Sequence, residues 1–315
     1  MTIDIEILFN SLLKMMIPVV VGAVAAKIGF FKGDFSKKFS DIVMKVCQPF
    51  LIVTSIISIE YSEDNLKSGL TMLLLSFAIH AFMMLIAFLC TFKISDQRMR
   101  RVSEFAMIFA NIGFFGVPLV RELFGNLGVF WAGFYLIPFN VLIWSYGIFI
   151  LSRANPELKI KPVKIFINAG TVPCFIGFIL FILRVRIYAP VLDSMTQIGA
   201  ACTPLSMFIV GAMLVNIPIK RLLFTKETWL VILVKNLVIP LGVGVLMRLF
   251  GFSREISYFC ALMASLPTAA ATAMFAESYD IRPDLAAQSV GLTTVISLGT
   301  TPFAIWLLSR IFALI

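Results

Sequence analysis

The chain has 315 residues, 60% of them hydrophobic and 14% charged, with a net charge of +9 and a mean hydropathy of +0.99. A water-soluble domain of this length needs far more polar surface, so the bilayer is its natural solvent. The basic residues lie in short links between apolar runs rather than on one polar face, which argues against a nucleic-acid partner and for anchoring at a membrane surface.

A membrane-spanning helix needs about 20 mostly apolar residues, and that rule predicts ten spans. The first, 6–30, follows an acidic start without the basic flank of a cleavable leader, so it is expected to be retained; it carries Lys14, which either faces a cavity or snorkels outward. The second, 40–59, contains Cys47 and Pro49, and the third, 68–92, holds His80 near its middle. The fourth, 104–122, contains Asn111, Gly113, Gly116 and Pro118. Pro118 has no backbone N–H and the glycines weaken the helix, so a break is expected near the bilayer centre, with a carbonyl near Phe114 lacking its partner. The fifth, 127–151, has Pro138 and Asn140. A Pro-containing link, 152–164, precedes the sixth span, 163–183, and the seventh, 191–216, with Cys202 and Pro204. The eighth, 228–249, carries Lys235, Asn236 and Pro240; the ninth, 256–277, repeats the broken pattern at Pro267 and Thr268; the tenth, 284–313, is rich in Thr and Ser, including Thr293, Thr294, Ser297, Thr300 and Thr301.

Fifteen basic residues fall in the links on one side of these spans and seven on the other, so the first side is expected to be cytoplasmic and both termini extracytoplasmic. The link divides the chain into five-helix sets, 1–151 and 165–315, and an odd number forces the second set to insert inverted, as in many secondary transporters. A shift of 155 residues places Cys47 and Pro49 on Cys202 and Pro204, His80 on Lys235, and 112–117 on 267–272.

Two broken helices crossing near mid-membrane would present free amides and positive dipole ends to an anion. Ordinary proline kinks are the bland reading of each break. Lys235 and His80, ionisable and deep in their spans, are candidates for supporting that anion or relaying a proton, against satisfied core residues. The serines and threonines of the tenth span either line a polar path or bond their own backbone. Cys47, Cys90, Cys174, Cys202 and Cys260 lie in apolar runs without ligand spacing and read as packing residues. A single histidine excludes a multi-histidine metal centre. No carboxylate is central in any predicted span, which disfavours a carboxylate-pair proton antiporter or a caged sodium ion. No nucleotide loop, metalloprotease helix or serine nucleophile motif is present, so neither an enzyme nor a cofactor is expected.

Residues 111–119 match the Asn-x-Gly-Phe-x-Gly-x-Pro-Leu pattern of the auxin efflux carrier family, which includes bacterial malate and malonate permeases and plant auxin exporters. The resemblance extends to Leu266-Pro267, Phe275-Ala276, Tyr279-Asp280, Pro283, Thr293-Thr294 and Pro302. It implies an all-α membrane fold of two inverted five-helix repeats. A scaffold of spans 1, 2, 6 and 7 would form a homodimer contact, and a transport domain of the remaining spans would move past it like an elevator. Asn111, Pro118 and Pro267 carry over directly, whereas Thr272 stands where plant members have a second proline. The expected function is secondary transport of a small organic anion across the plasma membrane. Asn111, Gly113, Gly116, Pro118, Asn140, Pro267, Thr268, Lys235 and His80 are candidate substrate residues, and no coupling ion is assigned between proton and sodium. The alternative is a membrane receptor or sensor that binds the same ligand without moving it; a channel stands third.

Overall fold

The computed structural model describes residues 5–31, 35–155, 167, 170–215 and 225–314. Most of the predicted link, the start of the sixth predicted span, and Lys32, Lys220 and Arg221 lie outside them. The described chain is helical, with one isolated two-residue bridge and no strand. We number the helices α1 (Ile5–Lys27), α2 (35–56), α3 (Glu63–Thr91), α4 (Gln97–Ile108), α5 (112–124), α6 (126–152), α7 (Thr171–Ile182), α8 (Ala189–Val215), α9 (Lys226–Leu249), α10 (Arg254–Ser265), α11 (Ala270–Ser278) and α12 (Pro283–Ile311).

Among the described residues, six helical runs are long and apolar enough to cross a membrane alone: Ile5–Lys27, Glu63–Thr91, Ile112–Ser152, Ala189–Ala212, Lys226–Leu249 and Pro283–Ile311. The third of these is not straight. Gly125 takes φ 61° and ψ −147°, which reverses the chain between α5 and α6. A Cβ on Gly128 would stand 2.6 Å from the Val120 carbonyl oxygen, eight residues back, a distance that only a folded hairpin produces.

Prolines shape the helices locally. Three wide π turns, at Val43–Cys47, Ile112–Gly116 and Val234–Val238, each end two residues before a proline: Pro49, Pro118 and Pro240. Proline cannot donate to the carbonyl four residues back and its ring crowds that carbonyl, so a widened preceding turn relieves both problems. Polar caps start other helices. Ser62 accepts the Asn65 amide at α3, and Asp96 accepts those of Arg98 and Met99 at α4.

That Asp96 cap is why α4 begins at Gln97, seven residues before the start expected of the fourth span. Glu104, expected near a span end, is therefore well inside a helix and buried. It accepts from Arg101 at 2.6 Å, Arg100 at 3.1 Å and Thr91 at 3.0 Å.

Glycines permit the closest helix contacts. Gly22 of α1 lies on the Phe208 backbone of α8, and Gly211 of α8 on the Val19 backbone of α1. Gly199 and Gly177 bring α8 and α7 against α2 at Leu51 and Ile56. Gly116 seats α5 against Leu266, and Gly244 seats α9 against Leu308 of α12. Large apolar side chains such as Ile17, Leu74, Phe175, Leu183 and Leu249 remain exposed around the helices, as a lipid-facing surface requires.

Candidate substrate site at the helix crossover

The two helix breaks meet. Between α4 and α5, residues 109–111 leave the helical region, and between α10 and α11, residues 266–269 do the same. The extended pieces pair antiparallel. The Asn111 N–H donates to the Pro267 carbonyl at 2.8 Å, and the Ala269 N–H donates to the Phe109 carbonyl at 2.9 Å. Each break thus satisfies backbone groups that the other exposes, which makes non-helical chain tolerable inside an apolar fold.

Thr268 locks the crossing. Its N–H donates to Thr293 Oγ1 of α12 at 3.0 Å, and its hydroxyl donates to the Ala106 carbonyl at 3.0 Å. It is fully buried and does not line the cavity described next.

That cavity, about 60 Å³, opens in front of the crossing and is bounded by 110–114, 269–271, Met44, Gln48, Phe139, Asn140, Ile143, Trp144, Gly170 and Phe275. The Ile112 N–H donates to the Ala110 carbonyl and the Thr272 N–H to the Ala269 carbonyl, both at 2.9 Å, so the orphan amides of α5 and α11 are those of Gly113, Phe114, Ala270 and Ala271, and all four residues border this one space. Asn111 is buried and its Nδ2 has no hydrogen-bond partner. Among the described residues, no lining side chain is ionisable. The described donors at this cavity are therefore two helix N-termini and carboxamides.

The predicted site residues divide. Asn111, Gly113 and Asn140 line the cavity, with Asn140 donating to the Leu136 carbonyl at 2.9 Å. Gly170 lacks the Cβ that would collide with the Asn140 carboxamide. Gly116 faces Leu266 instead, where it allows α5 and α10 to cross. Pro267 supplies a crossing carbonyl. Pro118 lies beyond the break, within the first turn of the α-helix that follows the π turn, and borders a different cavity.

His80 and Lys235 are fully buried behind the crossing. His80 Nδ1 bonds the Ser76 carbonyl at 2.7 Å, and its ring lies 5.9 Å from that of Phe139 and 6.4 Å from that of Phe109. Its Nε2 and the Lys235 Nζ have no partner. Lys235 occupies the π turn before Pro240, and neighbouring Asn236 donates to the Thr293 carbonyl at 3.3 Å and to Thr300 Oγ1 at 3.2 Å.

The hydroxyls of α12 do not form a path. Thr293, Thr294, Ser297 and Thr300 donate to backbone carbonyls of their own helix, and Thr301 reaches the Ser265 carbonyl. Gln48, Trp144, Gly170 and Phe275 are lining residues that the sequence does not single out as a site. Only Gln48, a lone carboxamide beside Pro49 in an apolar run, carries a signal that could have found it.

A helical membrane chain with two interrupted helices crossing at a polar cavity is the architecture of a membrane transport protein. The family described as Membrane transport protein matches residues 7–305. The chain belongs to that family, the auxin efflux carrier family. It is also similar to the uncharacterized transporter MJ1031 of Methanocaldococcus jannaschii, with 25% identity over 311 residues, covering 95% of this chain and 98% of that protein.

Proposed function

We propose that the protein is a secondary carrier of a small organic anion, a mono- or dicarboxylate, and that the Asn111 cavity is its binding site. The observation that carries this reading is the convergence of two helix N-termini and an unpartnered, buried Asn111 amide on one space. Such a site holds a carboxylate through N–H donors and still releases it, because none of its described lining side chains is a cation that would anchor the charge. His80 and Lys235, behind the aromatic wall, tune the field at the site; Thr268 keeps the crossing rigid.

In this reading the helices form ten spans. α4 with α5 makes the fourth, Gly125 turns it into the fifth, and α10 with α11 makes the ninth. The inverted repeat pairs the two broken spans, the terminal helices start outside the cell, and the membrane is the plasma membrane. The glycine-mediated packing of α1, α2, α7 and α8 supports a scaffold past which the crossing helices move, and that scaffold is the expected homodimer contact. Export of one negative charge from an interior at about −100 mV gains about 2.3 kcal/mol, so no coupling ion is required.

The test is counterflow in proteoliposomes with labelled malate, malonate and indole-3-acetate under imposed voltage, proton and sodium gradients. At least one acid should accelerate its own exchange, and none doing so overturns the reading. Asn111→Ala should raise the half-saturation concentration about tenfold, as expected for about 1.4 kcal/mol of lost donor energy. Unchanged affinity and turnover would remove Asn111 from the site.

A further inference from the structure

A second cavity, about 280 Å³, lies farther along the same helices. It is bounded by α1 at Ser11, Lys14, Met15 and Pro18, by α2 at Leu51, by α5 at 117–119, Arg121 and Glu122, and by α8 at Ala200, Thr203, Pro204 and Met207. α2 lends Gln48 to the Asn111 cavity and Leu51 to this one, while α5 lends Phe114 to the first and Val117 to the second. Three residues, about 4.5 Å of helix, separate the two spaces on both elements. A further recess of about 390 Å³ shares Ser11, Lys14 and Glu122 with the second cavity and continues it outward along α1.

The charges in this cavity are out of place for a lipid-facing surface. Lys14 stands nine residues, about 14 Å, into an apolar 23-residue helix. Its Nζ is 3.4 Å from Glu122 Oε2, and the two side chains are 68% and 49% exposed. Arg121 and Glu122 lie four and three residues before the Gly125 reversal, so the Lys14 ammonium reaches toward that end of α5, where exposed charge is held in a water-filled recess. Arg121 adds a second cation to the lining and forms no ion pair among the described residues. The recess therefore holds two cations and one carboxylate, a net charge of +1.

We propose that Lys14, Arg121 and Glu122 form a second carboxylate station, at the opposite end of the pathway from Asn111. Glu122 occupies Lys14 until an arriving substrate carboxylate displaces it. The pair is also an ionic link between α1 and α5, so displacement releases the helix that carries the Asn111 site. This inference rests on the carrier reading for the identity of the ligand, and its test does not depend on transport.

The experiment introduces Thr203→Cys, with Ala200→Cys as a second reporter, and separately Gln48→Cys. Each protein, alongside the wild type with its five native cysteines, is labelled in oriented vesicles from either face. Two membrane-impermeant thiol reagents of equal size are used, one an anionic sulfonate and one a cationic ammonium. The expected result is labelling of Thr203→Cys from one face and Gln48→Cys from the other. At Thr203→Cys the anionic reagent should be favoured. Adding Glu122→Gln should raise the anionic-to-cationic rate ratio about fivefold, and adding Lys14→Met should lower it by a similar factor, because one unit charge about 8 Å away in water changes the two rates about twofold each in opposite directions. Labelling of both reporters from one face, no labelling of either α8 reporter, or a ratio indifferent to Lys14 and Glu122 overturns the station. A wild-type protein that exchanges no acid, with these ratios intact, overturns the carrier reading and leaves the anion station standing.

Discussion

At the scale of single residues, Thr268 and Thr293 add side-chain bonds to the crossing that the Asn111 and Ala269 amides begin. Thr293→Val leaves the buried Thr268 N–H without its acceptor, at a cost of about 1–3 kcal/mol, whereas Thr293→Ser keeps the oxygen. Thermal unfolding in detergent should show a clearly lower midpoint for the valine variant, with most of the loss recovered by serine. Equal midpoints for wild type and valine would show that the bond contributes nothing. Asn111 was legible as a candidate because an uncharged amide between glycine and an apolar run has few structural uses. The role of Thr268 was not, because whether a hydroxyl meets a cavity or a carbonyl depends on the partner helix. In sequence its nearest alternatives were its own backbone or a ligand, and the Ala106 carbonyl lies 162 residues away.

At the scale of elements, prolines and glycines set where helices widen, stop and turn back. Pro118 signalled a disturbance, but the extended break lies at 109–111, on its N-terminal side. Proline disrupts the turn before itself, and pairing with the second break fixes where that disturbance becomes a gap. Gly128 is the close-contact point of the α5–α6 hairpin, so Gly128→Val should force its limbs apart and sharply reduce recovery of folded protein from membranes. Gly299 is the matched control. It sits in α12, and a methyl group placed there would have no atom within 4 Å, so Gly299→Ala should raise stability by about 0.5–1 kcal/mol, seen as a higher unfolding midpoint. The buried Glu104 serves two arginines; Glu104→Gln leaves both without a counter-charge and should cost about 3 kcal/mol, measured in the same way.

At the scale of the whole molecule, the α2–α5 seam separates the glycine-packed group of α1, α2, α7 and α8 from the crossing helices. A Cβ on Gly113 of α5 would stand 3.5 Å from Gln48 Nε2 of α2, ordinary contact distance. If transport moves one group past the other, Gln48→Cys with Gly113→Cys should be joined by a short bifunctional thiol reagent and lose exchange. A reducible version of that reagent should restore exchange on cleavage. Full exchange in a fully cross-linked sample would show that the seam does not slide.

Sequence alone determined the solvent, the helical class and the family, and it marked Asn111, His80 and Lys235 as polar groups inside apolar runs. Those follow from run length, hydropathy and a nine-residue pattern, all of which are local. Tertiary structure decided which polar groups face space and which face each other: Asn111 toward a cavity, Thr268 into the crossing, the α12 hydroxyls onto their own backbone, and Lys14 onto Glu122. The reason is physical. Membrane depth is set by counting along the chain, whereas the partner of a polar group in a low-dielectric interior is set by whichever distant backbone or side chain the packing brings within about 3 Å.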